Sequence, residues 1–172
     1  MGKIRIGSIF CLCALLLACL SSCGGRRLPW DYRTDRFSAK ITWQSSMGVS
    51  FLGELTSEEN GDIRLCLLSP KVWEGVVVSC SQAGTRVDCD GMRAEEVSLG
   101  EMDGVLELLR PEGEIRVVTR TKWQGRQVLY GEIEAMGEEE IYELYLEEKT
   151  GVPLEIRRGE VSVTFLSFRA GG

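Results

Sequence analysis

The sequence predicts a mainly β protein: an open antiparallel half-barrel of about ten strands with one amphipathic helix in its concave face. Three observations carry this. Apolar and polar residues alternate with period two through most of the chain beyond residue 36. Turn signals rich in Gly, Asn and Asp separate the alternating runs. A single segment, residues 101 to 110, has helical spacing instead.

The elements follow in order. Phe37, Ala39, Ile41 and Trp43 alternate with polar neighbours, as do Val49, Phe51 and Leu55. Ile63, Leu65 and Leu67 follow the turn "ENGD" at residues 59 to 62, and Ser69-Pro70 ends this run, because proline donates nothing to a ladder. Val76 to Val78 has strong β propensity, Ala83-Gly84 marks a turn, and the chain returns through Thr85 to Cys89. Asp90-Gly91 leads into a strand over Met92 to Leu99. In "EMDGVLELLR", Met102, Val105, Leu106 and Leu109 share one helical face, with Glu101 and Asp103 at the favourable end of the dipole and Pro111 as the stop. Gly104 weakens that helix by about 1 kcal/mol relative to alanine. Strands resume over Ile115 to Thr121, Val128 to Ala135, Glu140 to Glu147, Leu154 to Arg157 and Val161 to Phe168. Residues 169 to 172 read as a loose tail. So many twisted strands in a meander curl, and one helix cannot cover both faces, so an apolar groove is expected between helix and sheet.

The N-terminus has a different logic. Lys3 and Arg5 precede an apolar stretch from Ile6 to Leu20, shorter than the ~20 residues of a membrane span. Leu20-Ser21-Ser22-Cys23 resembles the lipobox of bacterial lipoproteins. The resemblance implies cleavage before Cys23, lipidation of its sulfur with acyl groups such as palmitate, and anchoring on the extracytoplasmic face of the cell membrane. The domain reading is a signal peptide over 1–22, a lipidated cysteine and tether over 23–35, and a half-barrel over 36–172. Two or more acyl chains suffice for stable anchoring.

Composition excludes several functions. Removing residues 1 to 22 takes away two bases and no acid, so 18 bases against 26 acids leave about −8. An acidic chain without a basic stripe is not expected to bind nucleic acid. The chain contains no histidine, so the Ser-His-Asp and Cys-His arrangements are missing. No metal site is expected: the spacing of Cys66, Cys80 and Cys89 fits no zinc pattern, and Asp88, Asp90 and Gly91 are only a fragment of a calcium loop. The runs Glu138-Glu139-Glu140 and Glu147-Glu148 read as solvated surface rather than a hydrolytic pair. No catalytic residue, enzyme activity or cofactor is therefore assigned. With Gly84-Thr85 at a turn centre, Cys80 and Cys89 face each other across a hairpin; they form either a disulfide or two reduced thiols.

The body carries a second resemblance. Its markers are Ser69-Pro70, Gly75, Asp90-Gly91 and the stretch Leu146 to Pro153, within "LSPKVWEGVVVSCSQAGTRVDCDG" and "YELYLEEKTGVPLEIRRGEVSVTF". Over residues 36 to 168 it resembles the lipoprotein-carrier superfamily, which includes germination-type lipoproteins of spore formers. The resemblance implies an open half-barrel that binds acyl chains or other apolar groups. The carriers usually begin with a helix, whereas residues 24 to 35 do not read as one.

Two functions follow as expectations. The first is a membrane-anchored protein that holds a lipid or other apolar group in the groove. Trp43, Phe51, Trp73, Tyr142 and Phe165, with Met102, Leu106 and Leu109 from the helix, are the candidate lining; core packing competes for each. The second is an interaction module, its cavity filled by its own side chains, that docks or chaperones an envelope or spore-cortex enzyme.

Overall fold

The structure, a computed structural model, describes residues 32–33, 35–134 and 141–171. The lipobox, with Cys23, and the acidic run Glu138–Glu140 lie outside the described residues.

Among the described residues eleven strands form one antiparallel sheet. They are β1 (Phe37–Gln44), β2 (Ser50–Ser57), β3 (Ile63–Ser69), β4 (Val77–Ser81), β5 (Gly84–Cys89), β6 (Met92–Glu95), β7 (Arg116–Trp123), β8 (Arg126–Glu134), β9 (Ile141–Glu147), β10 (Pro153–Arg158) and β11 (Val161–Ala170). The spatial order is β6-β5-β4-β3-β2-β1-β11-β10-β9-β8-β7. Two meanders therefore meet at a seam between the first and last strands. Among the described residues β6 and β7 have no strand on their outer sides, so the barrel stays open. Helix α1 (Glu101–Leu109) lies in the connection between these two edges and packs on β10 and β11 at the middle of the sheet.

Alternation explains the layers. Along β1, Phe37, Ala39, Ile41 and Trp43 are buried while Ser38 and Gln44 are exposed. β3 buries Ile63, Leu65 and Leu67, and β9 buries Tyr142, Leu144 and Leu146. These inward rows meet Val105, Leu106, Leu108 and Leu109 of α1 in one core. Each such leucine contributes about 1.5–3 kcal/mol of burial. Register shifts at Lys40/Ile41, Leu52/Gly53, Val117/Thr119 and Pro153/Glu155 interrupt the ladders, and such bulges bend strands and increase local twist. At one of them Gly53 admits a close approach: a Cβ there would sit 2.7 Å from Leu65 Cδ1.

The open antiparallel sheet and its single helix match the predicted class. Several details differ. Tyr32 is no part of a loose tether: it is fully buried, edge-on to Phe37 at 5.8 Å and to Phe165 and Phe168 at 6.4 Å. Arg33 donates from one guanidinium nitrogen to the carbonyls of Pro111 and Gly113, each at 2.7 Å. The packed body thus begins by Tyr32 rather than at residue 36. The expected tail is ordered as well. β11 runs to Ala170, which pairs with Phe37, and the Gly171 N–H donates to the Arg36 carbonyl at 2.7 Å. β6 ends at Glu95 rather than near Leu99, because Glu96 takes a left-handed φ of 54°.

Of the two states left open for Cys80 and Cys89, the structure has the reduced thiols. Ser81 pairs with Gly84, so the turn is residues 82–83 and Cys80 stands opposite Thr85. Cys89 lies four positions farther along β5, about 13 Å at ~3.3 Å per residue, beyond disulfide reach. Cys66, Cys80 and Cys89 are all free thiols.

Candidate functional site

The groove expected along the helix is filled. Leu106, Leu109, Tyr142 and Phe165 are buried in the core, and Met102 is packed beside it. Space remains at one end of the half-barrel, where α1 starts. A cleft of about 530 Å³ opens there. β1 and the following turn supply Trp43, Gln44, Ser45, Ser46 and Gly48. The first turn of α1 and the residue before it supply Gly100, Glu101, Gly104 and Val105; the β10–β11 turn and the start of β11 supply Glu160, Val161 and Ser162. The volume lies in the ~300–1,000 Å³ range of small-ligand sites.

Local sequence places each wall. Trp43 is the last inward residue of β1 and stacks flat on Phe51 of β2, with ring centres 5.0 Å apart and 8° between planes. Trp43 thus gives the cleft an apolar wall, and Phe51 backs it. Glu101 leans from the helix to the turn and accepts from both the N–H and the hydroxyl of Ser46, fastening the turn to the helix at the mouth. Asp103 accepts from the Leu99 N–H at 3.0 Å and the Ser98 hydroxyl at 3.1 Å, which stabilises the helix start that Gly100 cannot cap with a side chain. Gly104 leaves the side wall open: an added Cβ would approach Arg158 Nη2 at 3.6 Å, an ordinary contact.

Arg158 supports the wall from behind. It pairs with Glu107 at 2.8 Å, donates to the Tyr142 hydroxyl at 3.1 Å and lies over the Tyr142 ring. Burial disfavours its charge, but the hydrogen bonds to Glu107 and Tyr142 outweigh this and hold the guanidinium above its ordinary pKa. At the far end of α1, burial pulls Arg110 below the usual arginine range, and its guanidinium donates to the Glu58 carbonyl.

The predicted candidates therefore divide. Trp43 lines the cleft, with Phe51 stacked on it. Leu106, Leu109, Tyr142 and Phe165 build the core beneath. Trp73 sits in a single 3-10 turn (Lys71–Trp73) at the rim, 47% exposed and outside this cleft. Sequence reasoning missed the Ser46–Glu101 contact and the Arg158–Glu107–Tyr142 cluster. Both join residues distant in sequence, and neither has a periodic signature.

Elsewhere the outer face carries charged pairs. Asp88 accepts from Arg86 and Arg93 at 3.0 Å each, and the Arg93 hydrogen bond is the largest reason its carboxyl stays below the usual range. Glu155, although buried, accepts from Arg157 and from the Trp123 indole. Among the described residues no group of acids and cysteines has the arrangement of a metal site, and no helix is long and apolar enough to cross a membrane.

No family model and no curated protein matches this chain. Solved structures do. An uncharacterized conserved protein from Thermus thermophilus superposes with a TM-score of 0.53 at 10% identity, over 82% of each chain. That likeness shows the fold. A LolA-superfamily protein from Nitrosomonas europaea aligns at a TM-score of 0.40 and 9% identity, over 81% of this chain and 87% of that one. The Mycobacterium tuberculosis lipoprotein LppX aligns at 0.38 and 13%, over 78% and 84%. Neither score adds to the fold assignment.

Proposed function

We propose that this chain is a lipid-anchored envelope protein that binds an apolar group, an acyl chain in the first instance, at the open end of its half-barrel. The cleft carries the reading: it is concave, of ligand size, and offers the apolar side chains Trp43, Val105 and Val161 among polar and glycine neighbours, with Trp43 backed by the Phe51 ring. Anchoring rests on Leu20-Ser21-Ser22-Cys23 behind a charged and apolar leader. Intact-mass analysis of protein from membranes tests it: a diacylglyceryl-sized increment on Cys23 supports it, and an unmodified Cys23 refutes it.

Ligand binding is tested at Gly104. Gly104 lines the cleft, and an added Cβ there meets only Arg158 Nη2, at an ordinary 3.6 Å. Gly104→Leu is expected to lower the affinity for a fluorescent fatty acid at least about tenfold, the effect of losing ~1.4 kcal/mol of contact. Equal binding by the variant and the native chain places the ligand elsewhere, and no binding by either refutes the reading.

One observation favours a second reading, an interaction module for an envelope protein. The interior is filled by the chain's own side chains, and all four residues of edge strand β6 are exposed. An open edge offers unpaired N–H and C=O groups for strand addition. A proline at Ala94 that abolishes capture of a specific envelope protein, while fatty-acid binding persists, would decide for this module.

A further inference from the structure

The two ends of the sheet differ in chemistry. Because every neighbouring pair is antiparallel, connections alternate between the ends. The β1–β2, β3–β4, β5–β6, β8–β9 and β10–β11 connections share one end, which is also the end of the cleft. The β2–β3, β4–β5, β7–β8 and β9–β10 turns share the other.

Seven large apolar side chains are exposed among the described residues: Met47, Val49, Val72, Trp73, Met92, Ile141 and Leu166. All but Leu166 lie at the cleft end. Met47 and Val49 are in the β1–β2 turn, Val72 and Trp73 in the β3–β4 connection, Met92 at the start of β6 and Ile141 at the start of β9. The opposite turns read Glu58-Glu59-Asn60-Gly61-Asp62, Gln82-Ala83, Gln124-Gly125 and Glu148-Lys149-Thr150-Gly151-Val152; the one large apolar residue in them, Val152, is half-buried, so none is exposed. One sheet thus ends in an apolar rim and a polar rim.

We propose that the apolar rim, through Met47, Val72, Trp73 and Met92, docks on the surface of a lipid bilayer. Three features select a bilayer. The apolar residues occur one or two per turn on separate turns, which suits shallow insertion at several points. Val72-Trp73 is preceded by Lys71, whose long stem lets the charge stay at headgroup level; Arg93, beside Met92, is paired with Asp88. Tryptophan favours the same interfacial depth.

Chain length is compatible with the same docking. Tyr32 packs at the polar end, against Phe37 and Phe168. The nine residue steps from Cys23 to Tyr32 reach at most about 30 Å. An eight-residue strand such as β1 is about 26 Å long. An anchor at Cys23 therefore allows the body to invert and set its apolar rim on the same membrane. This reach argument rests on the anchoring proposed above. The docking itself is measured independently of it, and it places the cleft mouth at the lipid surface from which an acyl chain would come.

The test uses the full chain with phosphatidylcholine vesicles whose acyl chains are brominated, read by tryptophan quenching. The native chain is expected to be quenched, and Trp73→Phe to lose more than half of that quenching. The charge-introducing set Met47→Asp, Val72→Asp and Met92→Asp is expected to abolish quenching at Trp73 with an unchanged circular dichroism spectrum; all three positions are exposed. Gly104→Leu, which tests the cleft, is expected to leave Trp73 quenching unaltered, so failure of ligand binding and failure of docking are separate results. Full quenching in Trp73→Phe would move the contact to another tryptophan and overturn the proposal. So would Trp73 emission that ignores brominated lipid, or that is shielded by self-association without lipid, which assigns the rim to a second copy.

Discussion

Two glycines near α1 show how backbone geometry sets the sign of one substitution. Gly104 lies within the helix, and an added Cβ would make only an ordinary contact, 3.6 Å from Arg158 Nη2. Gly104→Ala should stabilise the protein by about 0.5–1 kcal/mol, because alanine restores helix propensity. Gly113 has a φ of +113°, and an added Cβ would stand 2.9 Å from Ile133 Cγ2 and 3.0 Å from the Glu134 carbonyl oxygen. Gly113→Ala should destabilise by more than about 1 kcal/mol, combining strain with a clash against backbone. Urea melts of the two variants measure both values, and a shared sign would contradict the local geometry. The helical glycine was legible as a weak point in the sequence. The role of Gly113 was not, since it depends on β8 passing beside it.

Elements were the most legible scale, and registers the least. Strands could be found because each buries one face, so period two is written into β1, β3 and β9. The helix was legible for the same reason, with Glu101 and Asp103 at its start. The hairpin of β4 and β5 was identified too, but its turn lies at residues 82–83, ahead of the Gly84-Thr85 centre expected. That small offset separates Cys80 from Cys89 and removes the disulfide. Tyr32 gave no signal, because one aromatic in an irregular segment has no period. At the helix start, Asp103 compensates for a missing cap by binding Leu99 N–H and the Ser98 hydroxyl. Asp103→Ala should cost about 1 kcal/mol and fray the first turn of α1. Hydrogen exchange localises the effect: amides of the first turn should lose protection while β1 and β11 keep theirs.

At the scale of the whole molecule, the seam between β1 and β11 decides whether two meanders behave as one domain. It joins residues from opposite ends of the chain, such as Ile41 with Phe165 and Trp43 with Val163, so no local pattern announces it. The aromatic cluster of Tyr32, Phe37, Phe165 and Phe168 lies across it. The helix also packs on β11, adding a second layer to the same junction. A cavity there should loosen both meanders together. Phe165→Ala is expected to cost about 3–5 kcal/mol, the range for a buried large aromatic. Val87→Ala, in β5 and only partly buried near the β6 edge, should cost under about 1.5 kcal/mol. The distinguishing measurement is native-state hydrogen exchange. In Phe165→Ala, amides of β3 and of β9 should lose protection by the same free energy, as in one cooperative unit. In Val87→Ala, losses should stay within β4, β5 and β6. Loss confined to β10 and β11 in Phe165→Ala would mean the meanders unfold separately, and the seam would then be an interface between two folding units.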